Sequence, residues 1–337
     1  MNWDKGFSAL YYMTIVDRST WADLERIEIT GGNVNRTDSN LIESADIDCV
    51  GYDKGEQWVR LYLDAVQEGF DTEHTPLFTG LATSPASSIN GQVVTNSLQC
   101  YSVLKPADDV YVSRGYYVGK NVDCTTLIKK ELLKDTPAPV IIDGKAPKLQ
   151  NIVLAENNET KLSMANKLLT AINWRFRITG DGTIHICPRE HNSVAAFDAI
   201  ETDVVEPQIS IDYDWYKCPN IFMAVIDGLS YIARDDDPNS VLSTGRRGRE
   251  IWEVEENPTL NTGETATQYV NRRLKELQAA VMSISYNRRY YPDITVGDRI
   301  KLNYPAQGVT GIFQIANSGF SLNYGAAVSE NANKIGE

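Results

Sequence analysis

The chain has 337 residues, of which 42% are hydrophobic and 23% are charged, with a formal net charge of −13 and a pI of about 4.8. These values are typical of a folded protein with two or three domains, and they exclude a disordered chain. The excess of carboxylates argues against a protein that grips nucleic acid, since that function needs Lys and Arg to neutralise phosphates.

No apolar run approaches the ~18–20 residues of a membrane-spanning helix, so we expect no membrane anchor. The amino terminus has no basic stretch followed by an apolar one, and no signal peptide is expected. The five cysteines are scattered without CxxC spacing, which predicts reduced, mostly buried thiols in a protein made in the cytoplasm. They are Cys49, Cys100, Cys124, Cys187 and Cys218.

Residues 1 to about 110 have the pattern of an all-β segment. Apolar and polar residues alternate in short runs separated by turns, which predicts strands with one buried face. Asn90-Gly91 lies between two extended runs and predicts a hairpin, because the central residues of a type I′ turn need positive φ. Several short strands at this spacing favour a barrel or a sandwich. The strands are expected at 26–29, 45–49, 58–63 and 77–81.

The segment from about 111 to 200 is predicted to be a small α+β insert. Apolar residues at helical spacing predict helices over about 122–134 and 158–173, the second with Asn157 or Asn158 as its N-cap. A hairpin is expected at 174–187, with its turn at 179–182. The apolar side chains of the hairpin are expected to cover the second helix; they are Trp174, Phe176, Ile178, Ile184 and Ile186.

From about 201 to 337 the β pattern returns, together with one long helix. The helix is predicted at about 262–281, with Asn261 or Thr262 as its N-cap. A run at 220–226 is apolar on both faces and predicts a central strand. Further strands are expected at 229–233, 249–255, 300–304, 312–316 and, last in the chain, 320–324. The helix has an apolar stripe at Ala266, Val270, Leu274, Leu277 and Val281.

Two groups of residues have part of the spacing of a metal site. Asp235, Asp237 and Asn239 resemble the start of an EF-hand loop, but Ser240 and Arg246 stand where that loop needs Gly and a bidentate Glu. An exposed acidic turn is therefore favoured. The second group is a possible zinc corner without an evident fourth ligand, and a metal site is not favoured there either. It comprises His185, Cys187 and His191.

Catalytic and nucleotide-binding motifs are absent from the sequence. The chain has three histidines and no Gly-x-Ser-x-Gly, Walker A or Gly-x-Gly-x-x-Gly pattern. A carboxylate pair for glycoside hydrolysis stays open, because an acid and a base need only meet in space. The one basic cluster, Arg246-Arg247-Gly248-Arg249, is interpreted as an interface or a solvated turn rather than a phosphate site.

Several segments, taken in order, carry a resemblance to a known family. They are Asp203-Val204-Val205-Glu206-Pro207, Pro219-Asn220-Ile221-Phe222, Arg246-Arg247-Gly248-Arg249-Glu250-Ile251-Trp252, the capped helix, and Tyr291-Pro292-Asp293-Ile294 through Phe313-Gln314-Ile315. Together they resemble a phage tail baseplate hub, a family also found in contractile injection systems. Arg26-Ile27-Glu28-Ile29 and Pro76-Leu77-Phe78-Thr79-Gly80 are similar to the first barrel of that family. The resemblance covers nearly the whole chain in domain order.

The resemblance implies a mainly-β fold with two tube-type antiparallel β-barrel domains, at 1–110 and 201–337, flanking the α+β insert at 111–200. It implies a homotrimer whose barrels form a pseudo-sixfold ring that continues the tail tube around an axial channel. The implied partners are the tail tube or distal tail protein, the tape measure protein, the central spike or tip and other baseplate proteins. The resemblance further implies that DNA passes through the lumen without specific binding. The implied location is the virion tail baseplate, and neither catalytic residues nor a cofactor carry over from the family.

Glu253 and Glu255 are candidates for lining that channel. They alternate with Trp252 and Val254 and therefore share one face of a predicted strand. An acidic lumen repels phosphates rather than trapping them.

Two other functional classes stay open from the sequence. A carbohydrate-binding module for host adsorption is one, given 17 tyrosines and six tryptophans. A cell-wall hydrolase is the other. Glycan binding by the isolated chain favours the first, and activity on peptidoglycan favours the second.

Overall fold

The computed structural model describes residues 1–336 apart from 39–40, 53, 92, 190–193, 199–203, 217, 227, 259, 261–263, 280 and 293. The chain divides into two compact units. Unit 1 comprises Met1–Asn192, Asn287–Gly297 and Asn317–Ser329, and unit 2 comprises Ser193–Tyr286, Asp298–Ala316 and Glu330–Glu337. The predicted class, mainly β with an α+β region, is confirmed.

The strands and helices among the described residues have the following bounds. The strands are β1 (Ser8–Val16), β2 (Asp23–Thr37), β3 (Glu43–Val50), β4 (Gln57–Val66), β5 (Glu73–Asn90), β6 (Val93–Ser102), β7 (Tyr117–Val118), β8 (Val140–Ile142), β9 (Val153–Leu154), β10 (Trp174–Ile178), β11 (Ile184–Pro188), β12 (Val194–Asp198), β13 (Val205–Tyr213), β14 (Ile221–Ile226), β15 (Leu229–Arg234), β16 (Trp252–Glu256), β17 (Met282–Arg289), β18 (Arg299–Tyr304), β19 (Val309–Ser321) and β20 (Ala327–Gly336). The helices are α1 (Lys105–Asp108), α2 (Cys124–Leu127), α3 (Lys161–Ala171), α4 (Thr244–Arg247) and α5 (Ala266–Ala279).

Six strands of unit 1 close into an antiparallel barrel. They pair in the order β1-β4-β5-β6-β3-β2, and β2 pairs back onto β1, with Met13 opposite both Ile27 and Leu61. β2 also pairs with β19 through Asn33–Thr37, so the closed strands are part of a larger sheet. The interior is filled by side chains that alternate inwards along the strands; the largest include Met13, Ile47, Leu61, Leu63, Phe78 and Leu98.

The alternation that predicted these strands is confirmed. In β3, Ala45, Ile47 and Cys49 are buried while the residues between them are exposed. The predicted hairpin is also present, since β5 ends at Asn90, β6 begins at Val93 and Gly91 has a φ of +63°. Gly80 has no room for a side chain, because a Cβ atom there would lie 2.3 Å from the Tyr101 carbonyl oxygen.

The rest of unit 1 includes a small α+β region, whose core also includes Val16 and Trp58 from β1 and β4. β10 and β11 form the hairpin, β8 adds to β11 in parallel, and α3 packs against the sheet. A π-helical turn, Ile128–Leu132, follows α2. The predicted N-cap of α3 is wrong: Asn158 has a φ of +60°, and Thr160 caps the helix by accepting a hydrogen bond from Ser163 N at 3.1 Å.

In unit 2, β18 pairs with β12 in parallel and with β19 in antiparallel fashion. The order continues β19-β20-β17-β13, and β17, β19 and β20 each have residues in both units. The prediction for 300–304 is confirmed, because Ile300, Leu302 and Tyr304 are buried. The prediction of a last strand at 320–324 is wrong. Phe320 and Ser321 are the end of the long β19, and the last strand is β20.

A second, three-stranded sheet of unit 2 has the order β15-β14-β16, so the predicted central position of β14 is confirmed. Helix α5 packs on one face of it. The predicted N-caps, Asn261 and Thr262, lie outside the described residues. Thr265 precedes the helix and its hydroxyl accepts a hydrogen bond from Gln268 N at 3.3 Å. The buried contacts join Phe222, Ala224 and Ala233 of the sheet to Tyr269, Val270 and Leu274 of α5.

Candidate functional site

Glu253 and Glu255, the channel candidates, share one face of β16 as predicted. The strand register sets Glu253 beside Phe222 and Glu255 beside Ala224, which is the face that packs against α5. The Tyr269 hydroxyl donates a hydrogen bond to Glu255 Oε2 at 2.8 Å. Burial, together with this hydrogen bond, raises the pKa of Tyr269.

The opposite face of the same sheet is apolar and exposed in part, with Ile221 of that face fully buried. Met223 lies between Ile232 on β15 and Val254 on β16. Trp252, two residues before Val254 on β16, shares this face. Ile232 is 53% exposed, Val254 49% and Trp252 46%. Strand alternation separated the two faces of β16 correctly, but it carries no information on which face a helix covers.

The acidic turn is closed by its own hydrogen bonds. Asp235 accepts from Ser240 Oγ at 2.6 Å and from Gln278 Nε2 at 2.9 Å, and Asp237 accepts from Asn239 N at 2.8 Å. The carboxylates therefore accept hydrogen bonds from the turn itself and from Gln278 of helix α5. The described part of the chain contains no group of three His, Cys, Asp or Glu side chains able to hold a metal ion.

The possible zinc corner, which the sequence did not favour, has two members among the described residues. His185 Nδ1 lies 2.9 Å from Asp143 Oδ2, and Cys187 is buried. Burial raises the pKa of the Cys187 thiol and disfavours the thiolate that a metal needs. His191, the third member, lies outside the described residues.

The basic cluster binds backbone carbonyls within unit 2. The Arg247 guanidinium donates to the Cys218 carbonyl oxygen at 2.7 Å and also to that of Trp215, and Arg249 donates to the Tyr216 carbonyl oxygen at 3.2 Å. Arg249 also lies over the Tyr216 ring at 5.4 Å. These contacts hold the backbone at Trp215, Tyr216 and Cys218.

The whole chain is similar to solved tail proteins. A 43 kDa tail protein of prophage MuSo2 from Shewanella oneidensis aligns over 96% of this chain and 98% of its own, with a TM-score of 0.66 and 13% identity. A tail protein from Neisseria meningitidis aligns over 97% and 98%, with a TM-score of 0.67 and 12% identity. The chain has the fold of these phage tail proteins.

The same fold extends to a secretion apparatus. A component of the Escherichia coli type VI secretion system, described as structurally similar to the bacteriophage T4 tail proteins gp27 and gp5, aligns over 92% of this chain and 74% of its own. Its TM-score is 0.54 at 11% identity. No protein-family model and no curated protein sequence matches the chain.

Sequence reasoning missed surfaces rather than catalytic groups. The apolar face of the β14–β16 sheet is one of them. A buried carboxylate also had no signal in the sequence: Glu43 is 3% exposed and pairs with Arg36. No helix among the described residues is both long and apolar enough to cross a membrane.

Proposed function

We propose that this chain is a structural hub protein in the tail baseplate of a bacteriophage or a phage-like particle. The observation that carries the proposal is the similarity to two tail proteins over at least 96% of this chain and 98% of each of theirs. Such an alignment extends beyond one common barrel to the complete order of elements. A shared module grafted onto an unrelated protein would match over part of its length.

In this role three copies form a ring. Residues 1–110 and 201–337 supply two tube-type barrels per copy, and the insert at 111–200 lies outside the ring or at its rim. The ring continues the tail tube and joins the tube and tape measure protein to the central spike or tip. The closure of β1–β6 supports this role, because a sheet that pairs back onto itself exposes less edge to open-ended strand addition.

The lumen of the ring passes DNA at ejection without binding it. Glu253 and Glu255 are the channel-lining residues in this proposal, and an acidic wall keeps phosphates mobile. The Glu255 carboxylate is already held by Tyr269, so Glu253 presents the freer of the two charges. The protein performs no catalysis in this role and uses no cofactor.

The test is to locate the chain in assembled particles. A tagged copy of this chain replaces the native one, and particles are purified and imaged with a gold-labelled antibody. We expect label at the distal end of the tail tube and three copies per particle. Particles that lack the chain, or label spread along the tail, contradict the proposal. Zymography on peptidoglycan, with lysozyme as positive control, is expected to show no clearing.

A further inference from the structure

Charge is segregated along this acidic chain. Residues 111–192 carry twelve Lys and Arg against eight Asp and Glu, a net charge of +4, so the remainder of the chain carries −17. Most of the basic residues of this segment are exposed, and six of these form neither an ion pair nor a side-chain hydrogen bond among the described residues. The six are Arg114, Lys120, Lys130, Lys134, Lys145 and Lys148.

A small ribbon in this basic segment exposes apolar side chains. In β7 and β9, Tyr117 lies opposite Leu154, and Val118 lies opposite Val153. The two valines face the core of unit 1. Side chains alternate across a strand, so Tyr117 and Leu154 face outwards, and they are 62% and 66% exposed. Ile152, two residues before Leu154, shares their face and is 53% exposed. We call Tyr117, Ile152 and Leu154 the ribbon face.

Two exposed lysines lie in the chain segments at one end of the ribbon face. Backbone hydrogen bonds join Asn121 N to the Leu149 oxygen at 2.8 Å and Leu149 N to the Val122 oxygen at 3.1 Å. These bonds hold the segments that carry Lys120 and Lys148 side by side, next to Ile152. The ribbon face is therefore an apolar strip with a basic border.

Unit 2 contains a second exposed apolar strip, in an acidic stretch. It comprises Met223, Ile232, Trp252 and Val254, and we call it the sheet face. Residues 205–256, which include it, carry eleven Asp and Glu against five Lys and Arg, a net charge of −6. Glu256 is exposed and, two residues after Val254, lies on the same face. At the other end, the Arg234 guanidinium is already bound by Asp236 at 3.0 Å and Glu250 at 2.6 Å.

We propose that the sheet face of one copy of this chain packs against the ribbon face of a second copy. The two strips are both apolar and lie in segments of opposite net charge, which favours this pairing over ribbon against ribbon or sheet against sheet. A contact between two different surfaces repeats from copy to copy and closes into a ring when the rotation allows. The inference rests on the proposed ring-forming function and assigns the surfaces that build it.

The first experiment measures self-association of the full chain by sedimentation velocity. Leu154→Asp places a charge in the ribbon face, and Val254→Asp places one in the sheet face. Each variant is expected to weaken self-association at least about tenfold, because truncating or charging a central apolar contact removes a large part of an interface. Ile89→Asp is the matched control, since Ile89 is 73% exposed at the far end of the β5–β6 hairpin, and it is expected to behave as wild type.

Mixing the two variants gives the decisive result. The Leu154→Asp copy retains an intact sheet face, and the Val254→Asp copy retains an intact ribbon face. An equimolar mixture is therefore expected to form a one-to-one dimer through a single intact contact, although neither variant associates alone. Raising NaCl from about 50 mM to about 500 mM is expected to weaken the mixed dimer severalfold, because salt screens exposed charges.

Three outcomes overturn this contact. They are a mixture that stays monomeric while the wild type associates, a Val254→Asp variant that associates normally alone, and a wild type that stays monomeric up to about 0.5 mM, a weak-affinity limit. None of these outcomes changes the expected position of the gold label in the particle-imaging test. The two experiments therefore distinguish a failure of the proposed contact from a failure of the proposed hub role. Circular dichroism and thermal midpoints of each variant establish that it is folded.

Discussion

Arg36 and Glu43 lie directly opposite each other on β2 and β3, and Arg36 Nε lies 3.3 Å from Glu43 Oε2. The Glu43 carboxyl group is buried, and its Oε1 has no hydrogen-bond partner among the described residues. Burial, opposed in part by Arg36, raises the pKa of Glu43 from 4.5 to about 7. The ionised form is therefore costly in the native barrel.

This pairing predicts a pH-dependent stability of unit 1. The folded state binds the proton of the Glu43 carboxyl group more tightly than the unfolded state does. The stabilisation of the fold by this proton is therefore present in full below about pH 4.5 and is lost as the pH rises through about 7. Glu43→Gln is expected to leave the free energy of unfolding nearly unchanged at pH 4.5 and to raise it by about 1–3 kcal/mol at pH 8. Urea unfolding of the wild type and of Glu43→Gln, each at the two pH values, measures this difference in the free energy of unfolding. An equal difference at both pH values refutes the explanation.

Arg247 is predicted to stabilise unit 2 through the carbonyls that it binds. Arg247→Ala leaves the Cys218 and Trp215 oxygens without these donors and is expected to cost about 1–3 kcal/mol. Arg246→Ala, one residue away in α4 and exposed, is the matched control and is expected to change stability by less than about 0.5 kcal/mol. Equal losses in the two variants would show that helix propensity, and not the carbonyl contacts, is responsible.

The hydrogen bond between Tyr269 and Glu255 predicts a measurable coupling. Tyr269→Phe and Glu255→Gln are each expected to lower the stability of unit 2 by about 1–2 kcal/mol. The double variant is expected to lose less than the sum, because both single changes remove the same interaction. Chemical denaturation of the four proteins completes the cycle, with Tyr216→Phe, at a 73% exposed side chain, as the control. If the stability losses of the two single variants add up to the loss of the double variant, the two side chains do not interact directly.

Gly80 is predicted to tolerate no side chain. In Gly80→Ala the new Cβ atom meets the Tyr101 carbonyl oxygen at 2.3 Å and the Phe78 ring at 2.4 Å, and backbone of the closed barrel cannot move aside without losing strand pairing. The expected cost is at least about 2 kcal/mol. Gly119→Ala is the comparison, since no atom lies within 4 Å of a Cβ at that position. Thermal unfolding ranks the two variants, and similar midpoints argue against the clash.

Many of the local elements could be predicted from the sequence alone. In β18 the burial of Ile300, Leu302 and Tyr304 follows from strict alternation, which is a property of neighbouring residues and needs no partner strand. The β10–β11 hairpin follows in the same way from two apolar runs around a Gly-rich turn. The mainly-β class was predictable because many such elements repeat along the chain.

What those elements face depends on contacts between distant parts of the chain. The last strand, β20, escaped prediction because Glu330 occupies a buried position, where the Tyr286 hydroxyl donates to its carboxylate at 2.6 Å from a distant part of the chain. The pairing of β2 with β1 closes the barrel through contacts that no local pattern encodes. The exposed face of the β14–β16 sheet likewise follows from where α5 packs, because alternation separates two faces and packing alone selects the one that is covered.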